Sequence, residues 1–237
     1  MPRHQVTVIL PCAGSGSRLG LPFPKELAPL GPGRCAADSS LDLIREAAGA
    51  SDVRVILMTD GKRDLTAAYV REKLPGVPVA EIIQDPSAPD LAEAVIALQP
   101  WLGYANVLLL PDVIYGWAGD PVTEVASEAS SYGFAVAAVK AGAGQIRQAG
   151  ALRVAGDRIE AYEDKPADPS GYDSLWGMLA FSNGTFGVDG LRLVAASASR
   201  ARKGPVTDPP VWGAPVTWLQ GFRDCGTWDG YLAEMRG

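Results

Sequence analysis

Glycines, small residues and two cations stand close together near the start of the chain, in Pro11-Cys12-Ala13-Gly14-Ser15-Gly16-Ser17-Arg18 and in Pro24-Lys25, and the chemistry they suit is polyphosphate binding. Gly14 and Gly16 can adopt positive φ, which turns several backbone N–H groups toward one concavity that an anion would satisfy. Pro11, Ala13, Ser15 and Ser17 are small or rigid enough to let that anion approach the backbone. Arg18 offers a planar fork for phosphate oxygens, and Lys25 offers a mobile point charge whose approach Pro24 stiffens. The spacing G-x-G-x-x-x-G departs from the dinucleotide fingerprint, and no GK[ST] follows as a Walker loop requires. A βα loop with merely solvated cations would read the same way in isolation, so the rest of the chain has to decide.

The elements that must carry this loop alternate. Val6 to Leu10 reads as a strand buried on both faces, with the loop leaving its carboxyl end. Ser39 or Ser40 is expected to cap a helix running through Leu41, Leu43, Ile44 and Ala48. Val53–Thr59 is the next strand, Lys62–Leu74 a helix ended by Pro75-Gly76, and Val79–Ile83 a third strand. Asp90 then caps a helix with Leu91, Ala94, Val95 and Leu98 on its face, and Asn106–Leu110 is a fourth strand. Such alternation predicts a parallel sheet with helices on both faces, whose ligands sit beyond the carboxyl ends of the strands. Asp112, just past the fourth strand, is well placed to meet a metal carried by a triphosphate, because Mg²⁺ takes one or two carboxylates plus phosphate oxygens. A turn aspartate is the plainer alternative.

After a surface helix at 121–131 and a fifth strand at 134–139, the texture changes to extended segments. Ala151–Val154 and Arg158–Glu163 flank a Gly156-Asp157 turn and read as a hairpin. Leu175–Phe181 is a further strand, and Gly184 opens a helix that ends in the basic stretch 200–203. Val216–Phe222 is expected as one final strand, and 228–236 as a short helix. No Ser/Pro-rich linker separates residues 1–140 from 141–237, so the two halves are expected to share one sheet in a single domain.

The 237 residues carry a net charge of −6, with 21 basic residues that are scattered, which argues against a nucleic-acid surface. Apolar runs are too short to span a bilayer, and MPRHQVTVILPC has no h-region with a cleavage site, so cytoplasmic residence is the default. Cys12, Cys35 and Cys225 suit neither a disulfide framework nor a zinc site and read as reduced thiols. His4 is the single histidine and stands before the first strand, which disfavours Ser-His-Asp or Cys-His chemistry.

AGSGSRLG followed by PKEL resembles the signature of sugar-1-phosphate nucleotidyltransferases, most closely the glucose-1-phosphate thymidylyltransferase branch in a short form. Four later segments extend the resemblance over most of the chain. IIQDPSAPDLAEAV is similar to the family stretch in which a glutamine meets the pyrimidine and a proline-rich loop lines its edge, which implies Gln84 as base reader and Pro86 as its neighbour. An amide suits an imide edge because it donates and accepts at once. Here the chain has Asp90 and one extra residue where the family has a glycine. Asp112-Val113-Ile114-Tyr115-Gly116 is similar to the family's metal-binding strand end, with Pro111 replacing a glycine. Tyr162-Glu163-Asp164-Lys165-Pro166 resembles the Glu-Glu-Lys-Pro segment, which implies Asp164 for the acceptor's hydroxyls and Lys165 for its phosphate. Gly150 matches a glycine packed against the sugar, and Trp176 stands where relatives carry a small polar residue. Trp212 is a further candidate near the acceptor. Asp224-Cys225-Gly226-Thr227 resembles the segment that supplies a second metal carboxylate.

The resemblance therefore implies a Rossmann-like three-layer αβα sandwich with a mixed, mostly parallel central sheet, of the nucleotide-diphospho-sugar transferase type. It implies a nucleoside triphosphate, dTTP or UTP, joined to a sugar 1-phosphate with release of pyrophosphate. Mg²⁺ would sit on Asp112 and Asp224, and Arg18, Lys25 and Lys165 would be the catalytic cations. A homo-oligomer is left open. Relatives continue beyond this chain's last residues into helices used for assembly and feedback control, so no such regulatory site is expected. The compressed spacing from Gly20 to Lys25 looks more like cytidylyltransferases, which keeps a CTP enzyme with an alditol or cyclitol phosphate acceptor as the alternative. A non-catalytic domain that binds nucleotide sugars is the third reading.

Overall fold

A computed structural model describes residues 5–14, 19–88, 90–198 and 204–236. In chain order the first half holds β1 (Gln5–Pro11), the hairpin β2 (Pro29–Gly31) and β3 (Arg34–Cys35), α1 (Asp38–Ala50), β4 (Asp52–Thr59), α2 (Asp64–Lys73) and β5 (Val79–Ile83). These lead to α3 (Leu91–Ile96), β6 (Ala105–Leu109), β7 (Val113–Gly116), α4 (Pro121–Tyr132) and β8 (Phe134–Lys140). The second half holds the single turn α5 (Ala143–Ile146), the hairpin β9 (Gly150–Ala155) and β10 (Arg158–Asp164), β11 (Ser174–Ser182), α6 (Thr185–Ala198), β12 (Val216–Trp218), β13 (Gly221–Asp224) and α7 (Trp228–Met235).

Strands from both halves form one nine-stranded sheet, ordered β10-β9-β11-β6-β1-β4-β5, with β8 on the other edge of β11 and β12 beyond it. β1, β4, β5 and β6 are parallel, and β10 and β11 run against the remaining strands. The mixed, mostly parallel sheet follows from side chains that must find cover on two sides. Val6, Val8 and Leu10 of β1 join the cluster under α1, α2 and α4, while Ile9 joins the cluster under α3 and α6. Val55 and Leu57 against Ile56 and Met58 repeat the division in β4, and Met178 and Ala180 against Leu179 and Phe181 repeat it in β11. Period-two alternation with both faces apolar is what a sheet sandwiched between helix layers demands.

Two expectations change. Val216–Phe222 is not one strand: the chain leaves the large sheet after Trp218, with Leu219 N–H bonded to Ala138 O at 2.8 Å, and then enters a separate ribbon of β13 with β7. Glycines allow the close approach there, since a Cβ on Gly116 would lie 2.9 Å from Gly221 N. The serines before Leu41 do not cap α1 either. They lie inside the helix and are buried, and Ser39 Oγ accepts from Tyr115 N–H at 2.9 Å while Ser40 Oγ donates to Leu110 O at 2.7 Å. The helix thus grips both ends of the turn that carries Asp112. α1 has no side-chain cap, and Asp38, its first residue, instead accepts from Cys35 N–H in the preceding hairpin at 2.8 Å. Among the described residues no helix is long and apolar enough to cross a membrane. The three cysteines are free and buried.

Ser39→Ala would strand the buried N–H of Tyr115, and Ser40→Ala would remove one bond to Leu110 O. Ser39→Ala is expected to cost about 1–3 kcal/mol in urea unfolding and Ser40→Ala less, because a carbonyl tolerates a lost bond better than an N–H does.

Candidate active site

β1, β5 and β6 end at one side of the sheet, and a cleft of about 1030 Å³ opens there. Its lining includes Pro11, Ala13 and Gly14 from the first loop, Lys25, Gln84 past β5, and Asp112 past β6. Gly150, Asp164, Lys165, Trp176 and Asp224 line the same cleft from the second half of the chain. Ser15, Gly16, Ser17 and Arg18 lie outside the described residues, as does His4.

The loop after β1 is held from beneath. Cys12 N–H donates to Met58 O at 2.7 Å, and Arg63 Nη2 donates to Gly14 O at 2.6 Å. Arg63, at the start of α2, is itself fixed by Asp60, 3.3 Å from its Nε. Sequence reasoning passed over Arg63, although its position just beyond the carboxyl end of β4 was a usable signal. Lys25 opens a single 3-10 turn after Pro24, and the next residue anchors it. Glu26 is fully buried, with Oε1 accepting from Thr66 Oγ1 at 3.0 Å and its backbone oxygen accepting from Ala37 N–H at 2.8 Å. Burial pushes the Glu26 carboxyl above its ordinary value, despite the Thr66 hydrogen bond and the nearby positive charges of Arg63 and Lys25. With Glu26 turned inward, Lys25 reaches the cleft, passing 3.6 Å (Cε) from where a Cβ on Gly14 would stand.

Lys25 Nζ meets Asp112 Oδ2 at 2.5 Å. Asp112 is 5% exposed, and its turn is fixed by Ser39, Ser40 and the Tyr115 hydroxyl, which accepts from Leu110 N–H at 3.1 Å. The β7–β13 ribbon sets Asp224 opposite Val113, and Cys225 N–H donates to Asp112 O at 2.9 Å. Gly226 N–H donates to Asp224 Oδ1 at 2.7 Å, and a Cβ on Gly226 would lie 2.9 Å from that oxygen and closer still to Asp112 Oδ2. The two carboxylates therefore converge on one glycine. Cys225 between them is buried and its thiol is pushed up to about 12, first by burial and then by Glu234, Asp224 and Asp112.

On the base side, Gln84 N–H bonds Thr59 O at 2.8 Å, which aligns the residue with the strand ends. Pro86 does not line the cleft. It stands on an exposed turn in which Asp85 accepts from Ser87 N–H at 2.8 Å, while Ala88 and Asp90 contribute to the lining instead. The reason is local: the Asx turn tips Pro86 outward before Asp90 caps α3 through Glu93 N–H at 2.9 Å. Trp212 also falls elsewhere, half exposed, with its carbonyl accepting from the Tyr132 hydroxyl at 3.1 Å.

The far end of the cleft forms where β11 changes partners. Its edge pairs with β9 at Ser174 and Leu175 and with β6 from Met178 onward, which leaves Trp176 and Gly177 at the gap. Gly150 pairs with Asp164, and a Cβ there would collide with the Trp176 ring, 1.9 Å from Nε1. That indole nitrogen is buried beside Tyr162 yet outside hydrogen-bonding geometry. Lys165 Nζ stands 3.2 Å from Asp164 Oδ2, and its backbone holds φ +51 through a bond from its N–H to Ala149 O at 3.0 Å. A non-glycine residue there is uncommon, and it bends the chain so that both side chains face the cleft mouth.

The described lining holds five aspartates against Lys25, Lys165 and Arg223. A polyphosphate would meet net negative charge here, so it needs a cation of its own. Two converging carboxylates fit a hexacoordinate Mg²⁺ that completes its shell with phosphate oxygens and water. The ammonium of Lys25 on Asp112 shows that the position accepts positive charge. No cluster of three or more His, Cys, Asp or Glu able to hold a metal by protein ligands alone occurs among the described residues.

No family model matches the chain, and no curated protein matches it in sequence. Solved structures do. A UDP-glucose pyrophosphorylase complexed with UDP-glucose is similar over 100% of this chain and 98% of its own, with a TM-score of 0.72 and 15% identity. A Bacillus anthracis protein described as a glucose-1-phosphate thymidylyltransferase, in complex with a sucrose, is similar over 98% of this chain and 94% of its own, with a TM-score of 0.73 and 16% identity. A UTP-bound UGPase from Acinetobacter baumannii is similar over 100% of this chain and 93% of its own, with a TM-score of 0.70 and 19% identity. The chain has their fold, a Rossmann-like α/β sandwich.

Gly226→Ala would force the two carboxylates apart. It is expected to weaken Mn²⁺ binding, read by electron paramagnetic resonance, relative to the parent. For Glu26, a folded pKa raised above the ordinary 4.5 means that its contribution to stability is fully present below that value and is lost as pH rises through the folded pKa. Glu26→Gln should therefore gain stability relative to the parent as pH is raised from 5 to about 8, measured by urea unfolding across the series.

Proposed function

We propose that the chain is a nucleotidyltransferase that joins a pyrimidine nucleoside triphosphate, dTTP or UTP, to a sugar 1-phosphate and releases pyrophosphate. The observation that carries this reading is the meeting of Asp112, Asp224 and Lys25 in one cleft, between the glycine loop and Gln84 on one side and Gly150, Asp164 and Lys165 on the other. Structures of the same fold described as pyrophosphorylases bound to UTP and to UDP-glucose support it.

A phosphate monoester has its second pKa at about 6, so the acceptor oxygen is ionised at neutral pH and needs no general base. No histidine lines the cleft among the described residues, and this chemistry requires none. Catalysis is then alignment and charge neutralisation. Gly14 and its neighbours orient the triphosphate through backbone N–H groups. Lys165 holds the attacking phosphate, and Asp164 beside it meets an acceptor hydroxyl. Lys25, released from Asp112 by the incoming ligand, stabilises the charge that develops on the departing pyrophosphate, with Arg18 as the second cation of that role. Mg²⁺ held by Asp112 and Asp224 would polarise the α-phosphate.

The test is pyrophosphate release from dTTP, UTP, CTP, ATP and GTP, each with glucose 1-phosphate, other sugar 1-phosphates and alditol phosphates, in Mg²⁺. Turnover is expected with a pyrimidine triphosphate and a sugar 1-phosphate, and Asp112→Asn or Asp224→Asn should each lower it by on the order of 10² or more. Turnover confined to CTP with an alditol phosphate would replace this reading with a cytidylyltransferase, and ligand binding without release in any pair would replace it with a binding domain.

A further inference from the structure

The acceptor corner of the cleft carries residues that the reading above does not use. The turn α5 and the two residues after it run straight into Gly150, and they bring Gln145 and Gln148 to the cleft lining as exposed side chains. This segment is fixed where it matters. Ile146 is buried in a small cluster with Ala151 and Leu175, Gln148 N–H bonds Gln145 O at 3.0 Å, and Ala149 O receives the Lys165 N–H. The backbone that presents the two amides is therefore tied to the residues that present Lys165 on one side and Trp176 on the other.

Trp176 faces two environments. One side packs against the core cluster that contains Tyr162 and Leu179, and the ring edge is wedged against Gly150, while the remainder lines the cleft. An indole clamped in this way has little rotamer freedom left to lose when a ligand stacks on it. The charges of the corner are already committed: Lys165 to Asp164, and Asp90 to the backbone of Glu93. What is left to meet the body of the acceptor is the Gln148 amide, the NH₂ group of Gln145, whose Oε1 accepts from Gly142 N–H at 3.4 Å, and one aromatic plate.

From this juxtaposition, and resting on the nucleotidyltransferase reading, the geometry points to an acceptor whose body is an uncharged ring bearing hydroxyls, with Gln145 and Gln148 reading the hydroxyls and Trp176 taking the apolar face of the ring. The Gln148 amide both donates and accepts and so matches a hydroxyl pair, while Gln145 donates through its NH₂. An acidic substituent would enter a corner walled by Asp90 and Asp164, whose lysine is shared between Asp164 and the acceptor phosphate, so a uronic acid 1-phosphate is a poor acceptor here. Trp176 and the two glutamines are specificity-determining residues of the acceptor site.

The experiment measures acceptor and triphosphate KM separately for the parent, Gln145→Ala, Gln148→Ala, Trp176→Phe and Trp176→Ala, with glucose 1-phosphate, galactose 1-phosphate and glucuronic acid 1-phosphate. Each glutamine variant should raise the KM of the neutral sugar 1-phosphate about fivefold, the worth of roughly one hydrogen bond, and leave the triphosphate KM within about twofold. Trp176→Phe should keep most of the acceptor affinity and Trp176→Ala should lose it, while the parent should use glucuronic acid 1-phosphate at least about 100-fold less well. Gln145→Ala and Gln148→Ala alter exposed side chains, so their result stands even if Trp176→Ala does not fold. Acceptor KM values unmoved in both glutamine variants, or equal use of the uronic acid, would overturn the inference while the nucleotidyltransferase reading stands. Absence of pyrophosphate release from every pair with the parent would overturn both.

Discussion

Two like charges about 5 Å apart repel by ~3 kcal/mol at an effective dielectric near 20, and the fold holds Asp112 and Asp224 together against such repulsion. Their meeting is enforced by backbone rather than by side-chain attraction. β7 and β13 form their own ribbon, Cys225 N–H closes onto Asp112 O, and Gly226 removes the one Cβ that would prevent convergence. The Lys25 ammonium on Asp112 offsets part of the repulsion. Any ligand that brings a divalent cation and draws Lys25 toward its own phosphates relieves the carboxylates and gains a counter-charge in one step.

The same constraint explains why so much polar machinery lies beneath the cleft. Ser39, Ser40 and Tyr115 are spent on the Asp112 turn, Arg63 on the carbonyl of Gly14, and Glu26 on Thr66 and Ala37. None of these contacts needs to touch a substrate. Each converts a turn that would otherwise sample several conformations into one with fixed donors, and preorganised groups of that kind stabilise developing charge without reorganising during reaction. Glu26 marks the expense, because a carboxylate sealed under the loop has its ionised form disfavoured and still leaves Oε2 without a partner.

The parts legible in the sequence were those governed by local pattern. β1, β4, β5 and β6 read as strands because their apolar runs have the length and composition that a sheet covered on both faces requires, and Asp112 stood out at a strand end, where ligands meet such sheets, while Gln84 was singled out by resemblance. Asp224 was legible through resemblance alone, since nothing in its neighbourhood specifies a partner more than a hundred positions away. The Ser39 and Ser40 reading failed for a comparable reason. Serine before an apolar run suits a helix cap, and only the tertiary approach of the Leu110–Tyr115 turn turns it into a buried clamp. A proline-rich segment specifies a turn but not which way the turn faces, and Pro86 stands on the exposed side of its turn.

The acceptor corner was the least legible region, and the reason lies in β11. A strand that pairs with β9 over its first residues and with β6 over its last must tear the sheet edge open between them, and the register shift at Trp176 against β8 is the trace of that tear. Hydrophobic periodicity runs through the tear without interruption, so Leu175–Phe181 looks like any other buried strand. Gly150 is the local sign that something large must pass close by, since any side chain there would occupy the space of the Trp176 ring. The end of the cleft at Gly14 and Gln84 is assembled from parallel strand ends whose positions are dictated by ladder hydrogen bonds. The end at Gly150 and Trp176 is assembled from the rim of a gap, where one aromatic residue and one short turn decide the shape. Substitutions at the second end can therefore change that shape without disturbing the carboxylates and the lysine at the first.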